Sequence, residues 1–208
     1  MAKELAWEDA LARQPAGRIQ DSLVELYEGH KRFLNHETEH RHYHPHHLEE
    51  LVKSPRPIAA IVACSDSRVA PEVVFDQGLG QLFVSRVPGN VASDGTKWML
   101  EIAVSELKVP LVMVMGHTGC LAVGQSVEGK IGWAGGTLRF DVQKAVHRAK
   151  VLNQGDLYVS AVRENVALTI ENLHRESYAS QKAIQMGELG IVGGIYDMET
   201  GVVTLIDS

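Results

Sequence analysis

The chain has 208 residues, of which 45% are hydrophobic and 22% charged, a composition typical of one globular domain with its own core. Its net charge of -6 gives no basic surface for nucleic acid. No apolar run reaches the roughly 20 residues that cross a bilayer, and the first residues lack the apolar segment of a signal peptide. We therefore predict a cytoplasmic, single-domain protein over residues 1–208, with no nucleic-acid or membrane partner.

The first part of the chain has helical patterns. Residues 1–17 predict one exposed helix, and Ser22 followed by Glu25 has the spacing of a capping box that would start a second helix, ending near position 35. The first helix would need a partner surface for three apolar side chains, Leu5, Trp7 and Leu11. We predict an N-terminal helical arm over residues 1–35 and an α/β core over residues 36–208.

A run of histidines follows the arm. It consists of His36, His40, His42, His44, His46 and His47. Because no apolar residues surround this run to fix ligand geometry, we interpret it as a solvated loop and not as a specific metal site.

Beyond the histidines, short apolar runs alternate with helical patterns. The runs at residues 58–63, 81–87, 111–115 and 190–196 predict strands, and a turn then leads to a last strand at residues 202–206. This order predicts an α/β fold with a mostly parallel central sheet, an antiparallel edge strand and helices on its faces. The Gly-rich passage after Cys120 has neither a dinucleotide nor a Walker motif, which argues against a nucleotide-phosphate site.

Two of the predicted strands end in side chains that bind metals. The first is followed by Cys64, and the run at residues 111–115 leads into His117 and Cys120. The carboxyl ends of parallel strands meet at one edge of a sheet, so these three side chains would lie together. Two thiolates and an imidazole suit zinc, and three protein ligands leave a fourth position for water, as in catalytic sites. Ordinary core thiols and a redox pair are the alternatives, whereas a thiol phosphatase would need an arginine six residues after its cysteine.

Asp66 and Arg68 follow the first cysteine closely. Because two thiolates cancel the charge of the zinc ion, bound water would be harder to deprotonate and would need help from a neighbour. Asp66 could accept a hydrogen bond from that water, or it could occupy the fourth position itself as a metal ligand and close the site. Arg68 could hold Asp66 away from the metal in a bidentate pair. We predict that low pH favours the closed form.

Three sequence segments together resemble the β-class carbonic anhydrases. They are CSDSR at residues 64–68, FDQGLGQLFVSRVPGN at residues 75–90 and GHTGC at residues 116–120. The resemblance extends from about residue 29 to residue 207, and includes ENVALTIENL and the terminal GIVGGIYDMETG. It implies an α/β fold and a homodimer, often paired into a homotetramer, whose N-terminal arm packs on the partner.

The resemblance also implies an activity and its residues. Cys64, His117 and Cys120 would bind zinc, and Asp66 with Arg68 would form the catalytic dyad. The implied reaction is carbonate dehydratase chemistry, in which zinc-bound hydroxide attacks carbon dioxide to give bicarbonate and a proton.

The residues that the resemblance places in the substrate pocket depart from the family pattern. Leu121 replaces a glycine after the second cysteine, Pro55 a glutamine nine residues before the first, and Ile102 a tyrosine. Pro88 stands where a small aliphatic residue is usual. Phe83 is the fifth residue that we predict in the substrate pocket. A drier pocket would weaken carbon dioxide hydration or favour carbonyl sulfide or carbon disulfide as a substrate of a same-fold zinc hydrolase. A third alternative is a zinc-bearing binding or scaffold protein with little activity.

Overall fold

The computed structural model describes residues 3–14, 16–39, 48–132, 136, 138–153 and 155–207. Its strands are β1 (Lys3–Leu5), β2 (Ala59–Ala63), β3 (Leu82–Arg86), β4 (Leu111–His117), β5 (Gly190–Tyr196) and β6 (Val203–Asp207). They form one sheet in the order β1, β6, β5, β4, β2, β3. The pairs from β3 to β5 are parallel, whereas β6 is antiparallel to β5 and β1 is antiparallel to β6. The predicted mostly parallel α/β sheet is thus confirmed, but its antiparallel strand β6 is not at the edge, because β1 pairs with the outer side of β6.

Helices cover both faces of the sheet. They are α1 (Trp7–Arg13), α2 (Arg18–Leu34), α3 (Leu48–Lys53), α4 (Pro71–Val74), α5 (Asp94–Ser105), α6 (Leu121–Val127), α7 (Leu138–Leu152), α8 (Leu157–Glu176) and α9 (Tyr178–Gln185). Within the described part of the chain, none of them is both long and apolar enough to cross a membrane.

Every residue of the central strands β2 and β4 is buried, and apart from His117 at the end of β4 all of them are apolar. Successive side chains of a strand point to opposite faces. Ile61 and Met113 therefore join the core cluster beneath α1, α2 and α4, whereas Val62 and Val114 join the cluster beneath α5, α8 and α9. The two clusters hold the carboxyl ends of β2 and β4 side by side, with Ala63 opposite Met115.

The N-terminal residues do not form the single exposed helix that their sequence predicts. They form β1 and α1, and Trp7 is 7% exposed because it packs on its own chain. Its indole N–H donates to the carbonyl oxygen of Val203 at 2.9 Å, and its ring stacks on Tyr27 with 5.1 Å between centroids. Leu5 and Leu11 pack against the same core cluster. The prediction that these three side chains need a partner surface is therefore wrong.

The capping-box prediction is also wrong. Helix α2 begins at Arg18, with Gly17 before it, and Ser22 is a buried residue inside the helix. The apolar face of α2 already includes Ile19, which is 6% exposed, so tertiary packing decides where the helix begins. Of the histidine run, His36 is in the described part, with a left-handed φ of 61°, and the other five histidines lie outside the described residues.

Candidate metal centre

The structure brings Cys64, His117 and Cys120 together. Cys64 follows β2, His117 is the last residue of β4, and Cys120 immediately precedes α6. One ligand atom from each residue lies within 4.8 Å of the others, and all three residues are buried. This is the only such group of three or more histidine, cysteine or acidic residues in the described part of the chain.

The turn between His117 and Cys120 is fixed by the neighbouring strand end. The amide of Thr118 donates to the carbonyl oxygen of Tyr196 at 2.9 Å, and its hydroxyl accepts from the amide of Met198 at 2.9 Å. Gly119 has a left-handed φ of 69°, which a glycine adopts without strain. The turn therefore points the His117 and Cys120 side chains in one direction.

The imidazole of His117 is oriented as a metal ligand requires. Its Nδ1 lies 2.8 Å from the carbonyl oxygen of Thr118. Because a carbonyl only accepts, Nδ1 carries the proton and Nε2 keeps its lone pair. Nε2 is buried and has no hydrogen-bond partner among the described residues. A buried nitrogen without a partner beside two thiols fits a zinc ion, and the set of two sulfurs and one nitrogen is typical of zinc sites.

The two thiols have opposite pKa shifts. The hydrogen bond from Cys120 lowers the pKa of Cys64, and the bond from the Gly89 amide adds to this effect. The same bond to Cys64, together with burial, raises the pKa of Cys120. Both thiols would have to lose their protons to an ion bound here, because only the deprotonated thiol binds a metal.

Asp66 and Arg68 form the bidentate pair that the sequence predicts. Arg68 donates to Oδ1 of Asp66 from Nε at 3.0 Å and to Oδ2 from Nη2 at 2.8 Å. The backbone amide of Arg68 adds a bond of 3.0 Å to Oδ1. The Arg68 side chain holds the pKa of Asp66 well below its usual range, so the carboxylate is charged. Both Asp66 oxygens are engaged with Arg68, and Asp66 is not a member of the ligand group.

Three residues that support Cys64 were not found from the sequence. Arg86, at the end of β3, donates from Nε to the carbonyl oxygen of Cys64 at 3.0 Å and from Nη2 to that of Asp66. The amide of Gly89 donates to Cys64 Sγ at 3.4 Å, and the Asn165 side chain donates to the carbonyl oxygen of Gly89 at 2.6 Å. Local sequence carries no signal for these contacts, because their partners are distant in the chain.

The five predicted pocket residues lie on separate elements. Pro55 is exposed in the loop before β2, and Leu121 is 71% exposed at the start of α6. Phe83 on β3 and Ile102 on α5 are partly buried, and Phe83 packs against the core cluster beneath α5. Pro88 is exposed and lines a cavity of about 280 Å³ beside α6 and α7.

Comparison with known proteins identifies relatives of this chain. A family model described as carbonic anhydrase matches residues 59–203. Carbonic anhydrase 2 of Mycobacterium tuberculosis is 36% identical over 190 residues, which cover 88% of this chain and 90% of that protein. The carbonic anhydrase of Mycolicibacterium smegmatis is 33% identical over 189 residues, covering 86% of this chain and 89% of that protein.

Solved structures of similar fold agree with the sequence relatives. The β-carbonic anhydrase CcaA has a TM-score of 0.69 and 27% identity, and the match covers 89% of this chain and 95% of that one. The β-carbonic anhydrase of Coccomyxa, solved with acetazolamide, has a TM-score of 0.69 and 26% identity, covering 87% and 84%. The matched residues include the two strand ends that carry Cys64, His117 and Cys120. This chain therefore belongs to the β-carbonic anhydrase family.

Proposed function

We propose that this protein is a zinc-dependent carbonate dehydratase, which hydrates carbon dioxide reversibly to bicarbonate and a proton. One observation carries the proposal: the ligand atoms of Cys64, His117 and Cys120 lie within 4.8 Å of one another in a buried group. Two further findings support it: the buried Nε2 of His117 has no hydrogen-bond partner in the described part of the chain, and the relatives are named carbonic anhydrases.

The chain's own residues would share the work of this reaction. Cys64, His117 and Cys120 would hold the zinc ion and leave one position free. Zinc bound there supplies a Lewis acid that makes a solvent molecule nucleophilic at neutral pH. Asp66 would accept a hydrogen bond from the reacting solvent molecule and orient it. Arg68 would keep the Asp66 carboxylate charged and fix its orientation through the two hydrogen bonds of the bidentate pair.

The same pair would control access to the zinc. With Arg68 bound to both of its oxygens, the Asp66 carboxylate would stay away from the metal, as the proposed open form requires. If the pair opened, Asp66 could turn to the metal and take the position that solvent needs. In this proposal Arg68 determines whether solvent can reach the zinc, because its guanidinium would compete with the metal for the Asp66 carboxylate.

We propose that Pro55, Phe83, Pro88, Ile102 and Leu121 belong to the carbon dioxide pocket of the assembled protein, because on the single chain Pro55 precedes β2 and Cys64 follows it. Leu121 follows the candidate ligand Cys120 directly in the chain, and its apolar side chain is 71% exposed. This observation favours one further candidate, hydrolysis of carbonyl sulfide or carbon disulfide, because these substrates need fewer hydrogen bonds from the pocket than bicarbonate does.

We propose that the protein acts in the cytoplasm as a homodimer or homotetramer. Both cysteines are free thiols, and zinc ligands of this kind persist in a reducing compartment. Trp98 and Leu121 are each 71% exposed on the single chain, and an assembly would cover large apolar side chains of this kind. Light scattering on the purified protein measures the number of copies.

Stopped-flow hydration of carbon dioxide, combined with metal analysis, tests the function. We expect about one zinc per chain and rapid turnover that is lost in Cys64→Ser. Zinc-replete protein that hydrolyses carbonyl sulfide but hydrates carbon dioxide slowly would favour the second substrate class. Zinc-replete protein with neither activity would leave a binding or scaffold role, and protein without stoichiometric zinc would refute the proposal.

A further inference from the structure

The turn after β3 touches one of the candidate zinc ligands directly. Pro88, Gly89 and Asn90 form a single helical turn of the 3-10 type, closed by a bond of 3.0 Å from the Asn90 amide to the Val87 carbonyl oxygen. Within it the Gly89 amide donates to Cys64 Sγ at 3.4 Å. A hydrogen bond to a thiolate withdraws electron density from the sulfur, so it changes how strongly that sulfur donates to a metal.

The conformation of this turn requires support. Gly89 has a φ of 73°, in the left-handed region. A β-carbon at Gly89 would lie 3.0 Å from Cγ2 of Val142 and 3.5 Å from the β-carbon of Ala122, so α7 and α6 confine the turn closely from one side. A small rotation of the Gly89 peptide planes would move its N–H off the sulfur.

Asn165 supplies the support from the other side. It lies on α8, it is 2% exposed, and its side-chain amide donates to the Gly89 carbonyl oxygen at 2.6 Å. The carbonyl and the N–H of Gly89 flank the same Cα atom, so fixing the carbonyl restrains the N–H as well. The contacts form a chain from Asn165 through Gly89 to Cys64, across sequence separations of 76 and 25 residues.

We infer that Asn165 is a positioning residue, which sets the affinity and electronic character of the zinc site by holding the Gly89 N–H on Cys64 Sγ. This inference rests on the proposed zinc site. Asn165 touches neither metal nor substrate in this role, and its effect passes through a backbone amide. Replacing Asn165 should therefore change the affinity and the spectrum of the bound metal, and not only the stability of the fold.

The test replaces Asn165 by leucine, which has a similar size and no donor. The matched control is Thr169→Val, four residues further along α8, which removes another buried polar group that is 2% exposed. We expect Asn165→Leu to weaken zinc binding about 10- to 100-fold in a chelator competition, as is typical of groups that orient metal ligands. In the cobalt-substituted protein, the sulfur-to-metal charge-transfer band should shift, whereas Thr169→Val keeps the wild-type affinity and band.

Three results would overturn the inference. The first is wild-type affinity and an unshifted band in Asn165→Leu, and the second is an equal loss in both variants, which would indicate a general packing effect. The third is wild-type protein that binds no zinc, which would remove the proposed function as well.

A measurement on the unmutated protein guards against a variant that fails to fold. In the ¹¹³Cd-substituted wild type, we expect scalar coupling between the metal and the Gly89 amide proton, and slow exchange of the Asn165 side-chain amide protons. Absence of either signal would overturn the inference.

Discussion

The guanidinium of Arg68 connects to Gly119 as well as to Asp66. Its Nη2 donates to the Gly119 carbonyl oxygen at 3.4 Å while it pairs with Oδ2 of Asp66 at 2.8 Å. Gly119 belongs to the turn that carries His117 and Cys120, and Asp66 follows Cys64. One side chain therefore joins the two strand ends from which the candidate zinc ligands come.

Replacing Arg68 by alanine should lower carbon dioxide hydration, by about 10- to 100-fold. Without the guanidinium, Asp66 is free to turn to the zinc and exclude solvent. Stopped-flow hydration measures the loss, and the cobalt-substituted variant should show a change of coordination in its visible spectrum. Arg68→Lys keeps the charge but not the two parallel bonds, so it should lie between wild type and alanine. Full activity in Arg68→Ala would contradict the proposed dyad.

The hydration rate should depend on pH. The Arg68 side chain holds the pKa of Asp66 well below its usual range, so Asp66 stays charged at any pH where activity is measured. Asp66 therefore does not set the pH profile. A bound zinc ion would supply the titrating solvent molecule, and at lower pH the Asp66 carboxylate would compete better for its position. We expect kcat/KM to fall as the pH decreases from about 9 to about 6. A flat profile over that range would contradict the switch.

Removing zinc should lower the melting temperature. A ligand present at 100 times its Kd stabilises the folded state by about 2.7 kcal/mol, and the candidate zinc ligands come from two separate segments of the chain. Thermal unfolding with and without a chelator measures the shift. Cys120→Ser, which loses one ligand, should melt like the chelated wild type and should not respond to added zinc. Equal melting of wild type with and without chelator would show that no metal is bound at this site.

The side chain of His30 should make stability depend on pH. It is 2% exposed, its Nδ1 donates to the Val74 carbonyl oxygen at 3.1 Å, and its Nε2 accepts from the Val203 amide at 2.9 Å. Burial lowers the pKa of His30 in the folded protein. As the pH falls below about 6.5, the unfolded chain binds the proton first, so stability is lost, at no more than about 1.4 kcal/mol per pH unit.

Denaturant unfolding of wild type and His30→Gln between about pH 5 and 8 isolates this effect, because the other histidines are common to both proteins. Glutamine offers a donor and an acceptor but does not titrate. We expect the difference in unfolding free energy between the two proteins to narrow at low pH. A constant difference would show that His30 has the same pKa in the folded and unfolded states.

Replacing Trp7 by alanine should destabilise the fold by about 3 to 5 kcal/mol, since a large buried aromatic and its hydrogen bond to Val203 are lost together. Tyr178→Ala is the matched control, because Tyr178 is 78% exposed and its loss should change stability by less than about 0.5 kcal/mol. Denaturant unfolding measures both. A small effect at Trp7 would indicate that the N-terminal segment does not pack on its own sheet in solution.

The strand ends that carry the site could be predicted because their signals are local. An apolar run that stops at Cys64 and another that leads into His117 are visible within a few residues, and parallel pairing then brings their ends together. Helix α6 was missed for the opposite reason. Its segment contains Gly124 and has poor helix propensity, and the helix forms because residues such as Val123, 1% exposed, are buried against α7.

The residues that support Cys64 could not be predicted from the sequence. The local sequence predicts only that Arg86 ends a strand and that Asn165 is one polar residue in a long helix. Each acquires its role through a partner in another part of the chain, which only the packing of α8 and β3 on the sheet brings near. Strand β1 was missed similarly, because three residues show no periodicity and form a strand only by pairing with β6.

The pairing of β1 with β6 also affects how the chain folds. Lys3 lies opposite Asp207, and Arg13 forms an ion pair with the same aspartate across 194 residues. Contacts of such separation are entropically costly to close and form late in folding. During synthesis β1 can pair with β6 only after Val203–Asp207 has left the ribosome. Until then Trp7 lacks its hydrogen-bond acceptor on Val203, so the N-terminal segment completes its packing late.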